Sequence, residues 1–109
     1  MNEQPIPSEW TFETATWNRK KNKYEDRQYR TESRTIKMEI EDRGEESIIR
    51  FIGGPTGFES YYISDFLLNK DVERDTLCIC GGTVNSWPKC IVPWQPVISF
   101  ILKFVEENK

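Results

Sequence analysis

The sequence predicts an α+β domain: an antiparallel sheet of about four to five strands with a C-terminal helix packed across one face. Three observations lead there. Residues 34–41 alternate strictly, with Ile36, Met38 and Ile40 on one side and Thr35, Lys37, Glu39 and Glu41 on the other, the period of a half-buried strand. Asp42-Arg43-Gly44-Glu45 follows as a turn, and residues 47–52 return as an antiparallel partner. After Pro96 the apolar spacing becomes helical, with Val97, Ile101, Phe104 and Val105 in one stripe. Strands first and one terminal helix make the α+β arrangement. At 109 residues the chain is read as a single domain, 1–109, large enough to bury a core.

Residues 1–8 hold Pro5 and Pro7 in a polar context and read as an extended N-terminal arm. Residues 9–14 (Glu9-Trp10-Thr11-Phe12-Glu13-Thr14) alternate apolar with polar, as a strand does. The alternation slips by Ala15 and Trp17, which marks a bulge or the end of the strand. Residues 18–33 show no convincing period and are expected to be a basic loop, with room for a helical turn. In residues 47–52 the apolar side chains fall on both faces, Ile48 and Ile52 against Ile49 and Phe51, which suits a central strand covered on both sides. Gly53-Gly54-Pro55-Thr56-Gly57 breaks the sheet. Residues 58–63 fit a third strand followed by a short turn at Phe66-Leu67-Leu68, while a helix over 58–68 competes with it. Residues 76–80 make a further strand, and Cys90-Ile91-Val92 a short extended piece. Pro96 suits the first turn of a helix running to about Glu107. Its apolar residues lie nearly all round, so it is either deeply packed or faces a partner.

Charge is segregated along this chain. Residues 18–37 carry eight basic side chains against Glu25, Asp26 and Glu32, a net of +5, while the whole chain is −3 and the remainder therefore −8. Complementary fields of this kind speed encounters with charged macromolecules and suppress wrong pairings. Histidine is absent, which removes the commonest general base and metal ligand at neutral pH. Ser–His and Cys–His nucleophile pairs are thereby excluded, and the chain leans away from enzymes. No cofactor motif is recognisable. Met1 leads into Asn2-Glu3-Gln4-Pro5, without the basic and apolar regions of a signal peptide. Residues 97–105 fall far short of the ~20 residues of a membrane helix, and three cysteines do not suggest a secreted disulfide framework. A cytoplasmic protein without membrane contact is expected, its oligomeric state open.

Two charged surfaces and one set of rings are candidate sites. Glu39, Glu41, Asp42, Glu45 and Glu46 surround Arg43, a net of −4. Such an acidic hairpin can imitate phosphates and dock on a basic cleft, or it can serve only to keep a strand edge soluble. Trp87 and Trp94 lie on proline-stiffened connections and are candidate anchors for a partner; wedging the terminal helix against the sheet would be their structural use. Arg19, Lys20, Lys21, Lys23, Arg27 and Arg30 interleave with Tyr24 and Tyr29, the ingredients of phosphate contact and base stacking, or of a solvated loop. Cys78, Cys80 and Cys90 are expected to be buried thiols; zinc held by them with Asp75 is the alternative, although the spacing is not that of a zinc knuckle.

In size, charge and composition the chain resembles bacterial immunity proteins. The resulting expectation is a small protein-binding module that neutralises a partner, a toxin with a basic surface, by charge-complementary contact. The alternative is a nucleic-acid-binding accessory protein that uses the basic, tyrosine-bearing segment 18–37.

Overall fold

Two strands set the architecture. β1 (Gln4–Asn18) and β2 (Lys23–Glu41) run 15 and 19 residues, far beyond the usual five or six or so, and pair along nearly their whole length. The computed structural model describes residues 3–54, 57–80 and 88–108. Four shorter strands flank this ribbon: β3 (Ile48–Gly54), β4 (Gly57–Tyr62), β5 (Thr76–Cys80) and β6 (Lys89–Pro93). Together they form one antiparallel sheet in the order β4-β3-β2-β1-β6-β5, curled into a half-barrel. Two helices, α1 (Ile63–Leu67) and α2 (Trp94–Glu107), complete the fold.

The α+β class and the terminal helix agree with the sequence expectation; the sheet has six strands rather than four to five. The added strand and the added length of the first two come from segments with weak apolar patterns. Residues 18–33, expected to be a loop, are mostly strand, with only Arg19-Lys20-Lys21-Asn22 turning between β1 and β2. The extended piece at 90–92 is the middle of β6, paired to β5 and, through Trp10↔Cys90, to β1. The N-terminal residues from Gln4 onward are extended as expected, but they are built into the sheet, with Ile6 buried opposite Ile36. Pro5 and Pro7 precede the point at which β6 joins β1, at Glu9, so their missing N–H groups cost no ladder bond on that side. Residues 58–68 combine the strand of one reading with a short helix, β4 and then α1.

The core fills the concave face. Ile6, Trp10, Ile36, Met38, Ile40, Ile49 and Phe51 from the sheet meet Val97, Ile98, Phe100, Ile101 and Phe104 of α2. α2 is thus apolar nearly all round because the curled sheet and α1 cover it on several sides. Phe51, Tyr61, Phe66 and Trp94 form a continuous run of rings, with successive centroids 6.0, 6.1 and 6.1 Å apart, within the favourable range for aromatic pairs. That run ties β3 and β4 through α1 to the start of α2.

Trp10 carries a polar tip into the core and is 2% exposed. Its indole N–H donates to Ser8 Oγ at 2.9 Å, and the Ser8 hydroxyl donates to the Arg34 carbonyl at 2.8 Å. The ring lies so close to Gly54 that a Cβ there would overlap Trp10 Cζ2 and Cη2. Two outcomes are expected in urea unfolding. Gly54→Ala should lower stability by about 1–3 kcal/mol through overpacking. Ser8→Ala, which leaves the buried indole N–H without a partner, should cost about 1–3 kcal/mol. Unchanged midpoints in both variants would show that the contact around Trp10 is loose.

Candidate functional site

The charge segregation seen in the sequence becomes a separation in space. The molecule measures 60 × 26 × 25 Å, with a radius of gyration of 16.5 Å, against about 13 Å for a compact chain of this length. The 19 residues of β2, at ~3.3 Å each, account for a long axis of that size. The basic turn precedes β2 and the acidic turn follows it, so the two lie at opposite ends of one strand.

At the basic end the β1–β2 ribbon leaves the sheet. β6 pairs with β1 only at Glu9, Trp10 and Thr11, and β3 with β2 only from Lys37 to Glu41. Residues 12–34 therefore form a two-stranded arm without further sheet partners among the described residues. Local chemistry shapes its end. Asn18 Oδ1 accepts from the Lys20 and Lys21 amides at 3.0 and 3.1 Å, its Nδ2 donates to Glu25 at 2.9 Å, and Asn22 takes φ 53°, the left-handed conformation that Asn tolerates in turns. A bulge follows: Ala15 of β1 stands against Asp26 and Arg27 of β2, with Asp26 at φ 53°. The slip seen in the sequence at Ala15 and Trp17 thus falls at a real irregularity, although the extra residue belongs to β2.

Register assigns the arm's side chains to faces. Trp17 pairs with Tyr24, their rings edge-on at 4.9 Å, and Tyr29 pairs with Glu13. All three rings lie on the face opposite the core, 46%, 47% and 60% exposed. Arg27 shares that face and is ion-paired with Glu13. Arg30 is on the other face, stacked over Phe12 at 4.6 Å and 3.4 Å from Glu32. Lys21 and Lys23 share one carboxylate, Glu25, at 3.3 and 4.0 Å, and Arg19 and Lys20 stand exposed on the turn.

At the acidic end the five carboxylates divide. Glu39 and Glu41 lie on the outer face of β2 with Arg50 of β3 between them. Arg50 is 3.9 Å from Glu39 and hydrogen-bonded to Glu41, and Arg43 adds a pair to Glu41 at 2.9 Å. The Arg50 hydrogen bond, aided by Arg43, holds the Glu41 carboxyl below its ordinary pKa, so it stays charged as pH falls. Asp42, Glu45 and Glu46 are exposed on the turn and its 3-10 segment, Gly44–Glu46. That turn is firmly built. Asp42 Oδ1 accepts from the Gly44 amide at 3.1 Å, the buried Ser47 hydroxyl accepts from the Arg43 amide at 2.9 Å, and it donates to the Gly44 carbonyl at 2.8 Å.

The proposed anchors fare differently. Trp94 is 3% exposed, stacked on Phe66 and covered by Arg74 at 4.7 Å; it takes the wedging role and is not displayed. Trp87 lies outside the described residues. Two rings that the sequence reading did not single out are displayed instead. Phe58 and Tyr62, 58% and 54% exposed, stand on the outer face of β4. Register carries Tyr62 through Ile48 to Glu41 and Phe58 through Ile52 to Lys37, so Tyr62 borders the acidic end. The signal available for them was the alternation Phe58-Glu59-Ser60-Tyr61-Tyr62, in which Glu59 and Tyr61 share the inward face and Phe58, Ser60 and Tyr62 the outer one.

The cysteines do not form one set. Cys78 pairs with Ile91 and Cys90 with Ile79, so Cys78 and Cys90 occupy opposite faces of the sheet and cannot share a metal ion. Cys90 is buried as expected; Cys78 is exposed, which corrects the expectation of a buried thiol there, and the Cys80 side chain lies outside the described residues. Among the described residues no group of three or more Cys, Asp or Glu is placed to hold a metal ion, and no helix is long and apolar enough to cross a membrane. An open groove of about 470 Å³ crosses the outer face over Pro7, Glu9, Ser33, Thr35 and Ile91. A smaller cleft of about 170 Å³ lies between Tyr61, Phe66, Arg74, Leu77 and Trp94, below the usual range of small-molecule sites. Comparison with protein-family models, curated proteins and solved structures found no match.

Desolvation pushes the Cys90 thiol up to about 12, against a smaller lowering by the Ser8 hydroxyl. Thiolate is the reactive form, so alkylation of the native protein at mildly alkaline pH should label Cys78 and spare Cys90, as peptide mass mapping would report. The folded pKa lies above the unfolded one, so this thiol's contribution to stability is intact below the ordinary thiol range and is lost as pH climbs toward 12. Native labelling of Cys90 as fast as Cys78 would contradict the assigned burial.

Proposed function

We propose that this protein is a small binding module of the inhibitor or immunity type. It neutralises a partner protein by covering a basic surface with the acidic end of the β2–β3 hairpin. The observation that supports this reading is the construction of that end: Asp42, Glu45 and Glu46 are exposed on a turn locked by Ser47. A turn whose backbone is already held loses little freedom on docking, and a concentrated negative field steers a basic partner into register.

The neighbouring residues refine the contact. Glu39 and Glu41 add shape more than net charge, because Arg50 and Arg43 already answer them. Tyr62, beside Glu41 on the outer face, replaces Trp94 as the ring available to enter a partner's pocket, and large aromatics are the usual anchors of such interfaces.

The test is capture from the native lysate, followed by affinity measurement on the protein retained at equal stoichiometry. Glu45→Lys with Glu46→Lys should weaken that complex by about 100-fold, since like charges brought together across an interface cost several kcal/mol. Tyr62→Ala should weaken it by about tenfold or more. Unchanged affinity in the charge-reversed protein, with its melting temperature preserved, would reject the reading.

A further inference from the structure

The arm at the other end is not used by that function. Its three exposed rings, Trp17, Tyr24 and Tyr29, share one face with Arg27, and four basic residues, Arg19, Lys20, Lys21 and Lys23, cluster at or beside the turn. The Trp17–Tyr24 pair steadies the ribbon across its two strands, yet all three rings keep about half of their surface or more in solvent. An isolated hairpin is marginal in water, and none of these rings joins the core cluster. We propose that the β1–β2 arm is a binding site for single-stranded nucleic acid, with bases stacked on Trp17, Tyr24 and Tyr29 and phosphates held by the basic turn.

Three arguments select this occupant. Stacking accepts any base because every base offers a π face, and it needs rings displayed on an open surface beside cations. The arm supplies both on one face and its adjoining turn. An acidic protein would satisfy the cations but offer no π face to stack on the three rings. A duplex, whose bases are already stacked on one another, would engage the cations alone.

The acidic character of the whole chain, pI about 5.1, does not oppose this. Residues 12–34 carry seven basic side chains against four acidic ones, a net of +3, which leaves −6 for the rest of a −3 chain. From Thr11, the last β1 residue paired to β6, to Asn18 the ribbon extends ~24 Å at ~3.4 Å per residue. That is about three Debye lengths at physiological salt. The body's negative field is screened out before it reaches the turn.

The experiment is fluorescence anisotropy with a labelled short oligothymidylate and the full chain. Binding should be measurable in the micromolar range at ~50 mM salt. It should weaken by about 20- to 50-fold at ~200 mM if three or four phosphates are neutralised, given the single-strand slope of ~−0.7 per phosphate. Tyr29→Ala should weaken it about fivefold or more, the low end of a lost stacking contact, and Lys20→Ala should flatten the salt slope by about 0.7. Both positions are exposed, so circular dichroism should show the fold intact in each variant. Glu45→Lys with Glu46→Lys should leave this binding in place, which separates it from the acidic-end reading. Absence of binding at ~50 mM salt, equal affinity for duplex DNA or polyglutamate, or indifference to Tyr29→Ala would each overturn the assignment.

Discussion

The fold depends on what surrounds one indole. Trp10 sits on β1 between Glu32 of β2 and Cys90 of β6, and its ring crosses the concave face to touch Gly54 at the far end of β3. Only a curled sheet brings those strands within reach of a single side chain. Burying a ring of this size removes about 150–250 Å² from water, worth about 4–6 kcal/mol at ~25 cal/mol per Å², but the N–H must then find a partner inside. Ser8, two residues earlier on the same face, supplies it and donates its own O–H to the Arg34 carbonyl. Glycine at 54 supplies the space. Sheet curvature, apolar burial and polar satisfaction therefore converge on two side chains, one backbone carbonyl and one missing Cβ.

From that point the half-barrel closes by adding apolar surface. α2 enters the concavity with Val97, Ile101 and Phe104 buried, and the ring sequence from Phe51 to Trp94 joins the outer strands to it. α1 is only five residues long, yet it places Phe66 between Tyr61 and Trp94. Its first amide, of Ile63, bonds to the Ser47 carbonyl at 3.0 Å, which connects the core to the locked acidic turn. The rigidity of that end is inherited from the barrel.

What was legible in the sequence followed burial. Residues 34–41 alternate because Ile36, Met38 and Ile40 face the core, and the terminal helix declares itself through its apolar stripe. The arm was illegible for the complementary reason: with neither face buried beyond Trp10 and Phe12, no hydrophobic period is required of 13–33, and the segment reads as a loop. Its turn left a quieter signal in Asn18 and Asn22, residues suited to side-chain–backbone bonding and to positive φ. The acidic cluster was visible as charge. Its partial neutralisation was not, because Arg50 reaches Glu39 and Glu41 across a strand boundary that residue spacing does not reveal. The cysteine faces likewise depended on register, which only pairing of β5 with β6 fixes.

The independence of the ribbon from the barrel has an evolutionary reading. Substitutions over residues 13–33 change no contact of the core cluster, because none of these residues belongs to it. The residues that hold the fold and those that the arm displays are thus separate sets. Such a chain can drift rapidly in what its arm touches while the scaffold stays under stringent selection, so descendants would diverge first along 13–33. Change at Ser8, Trp10 or Gly54 would come only in concert.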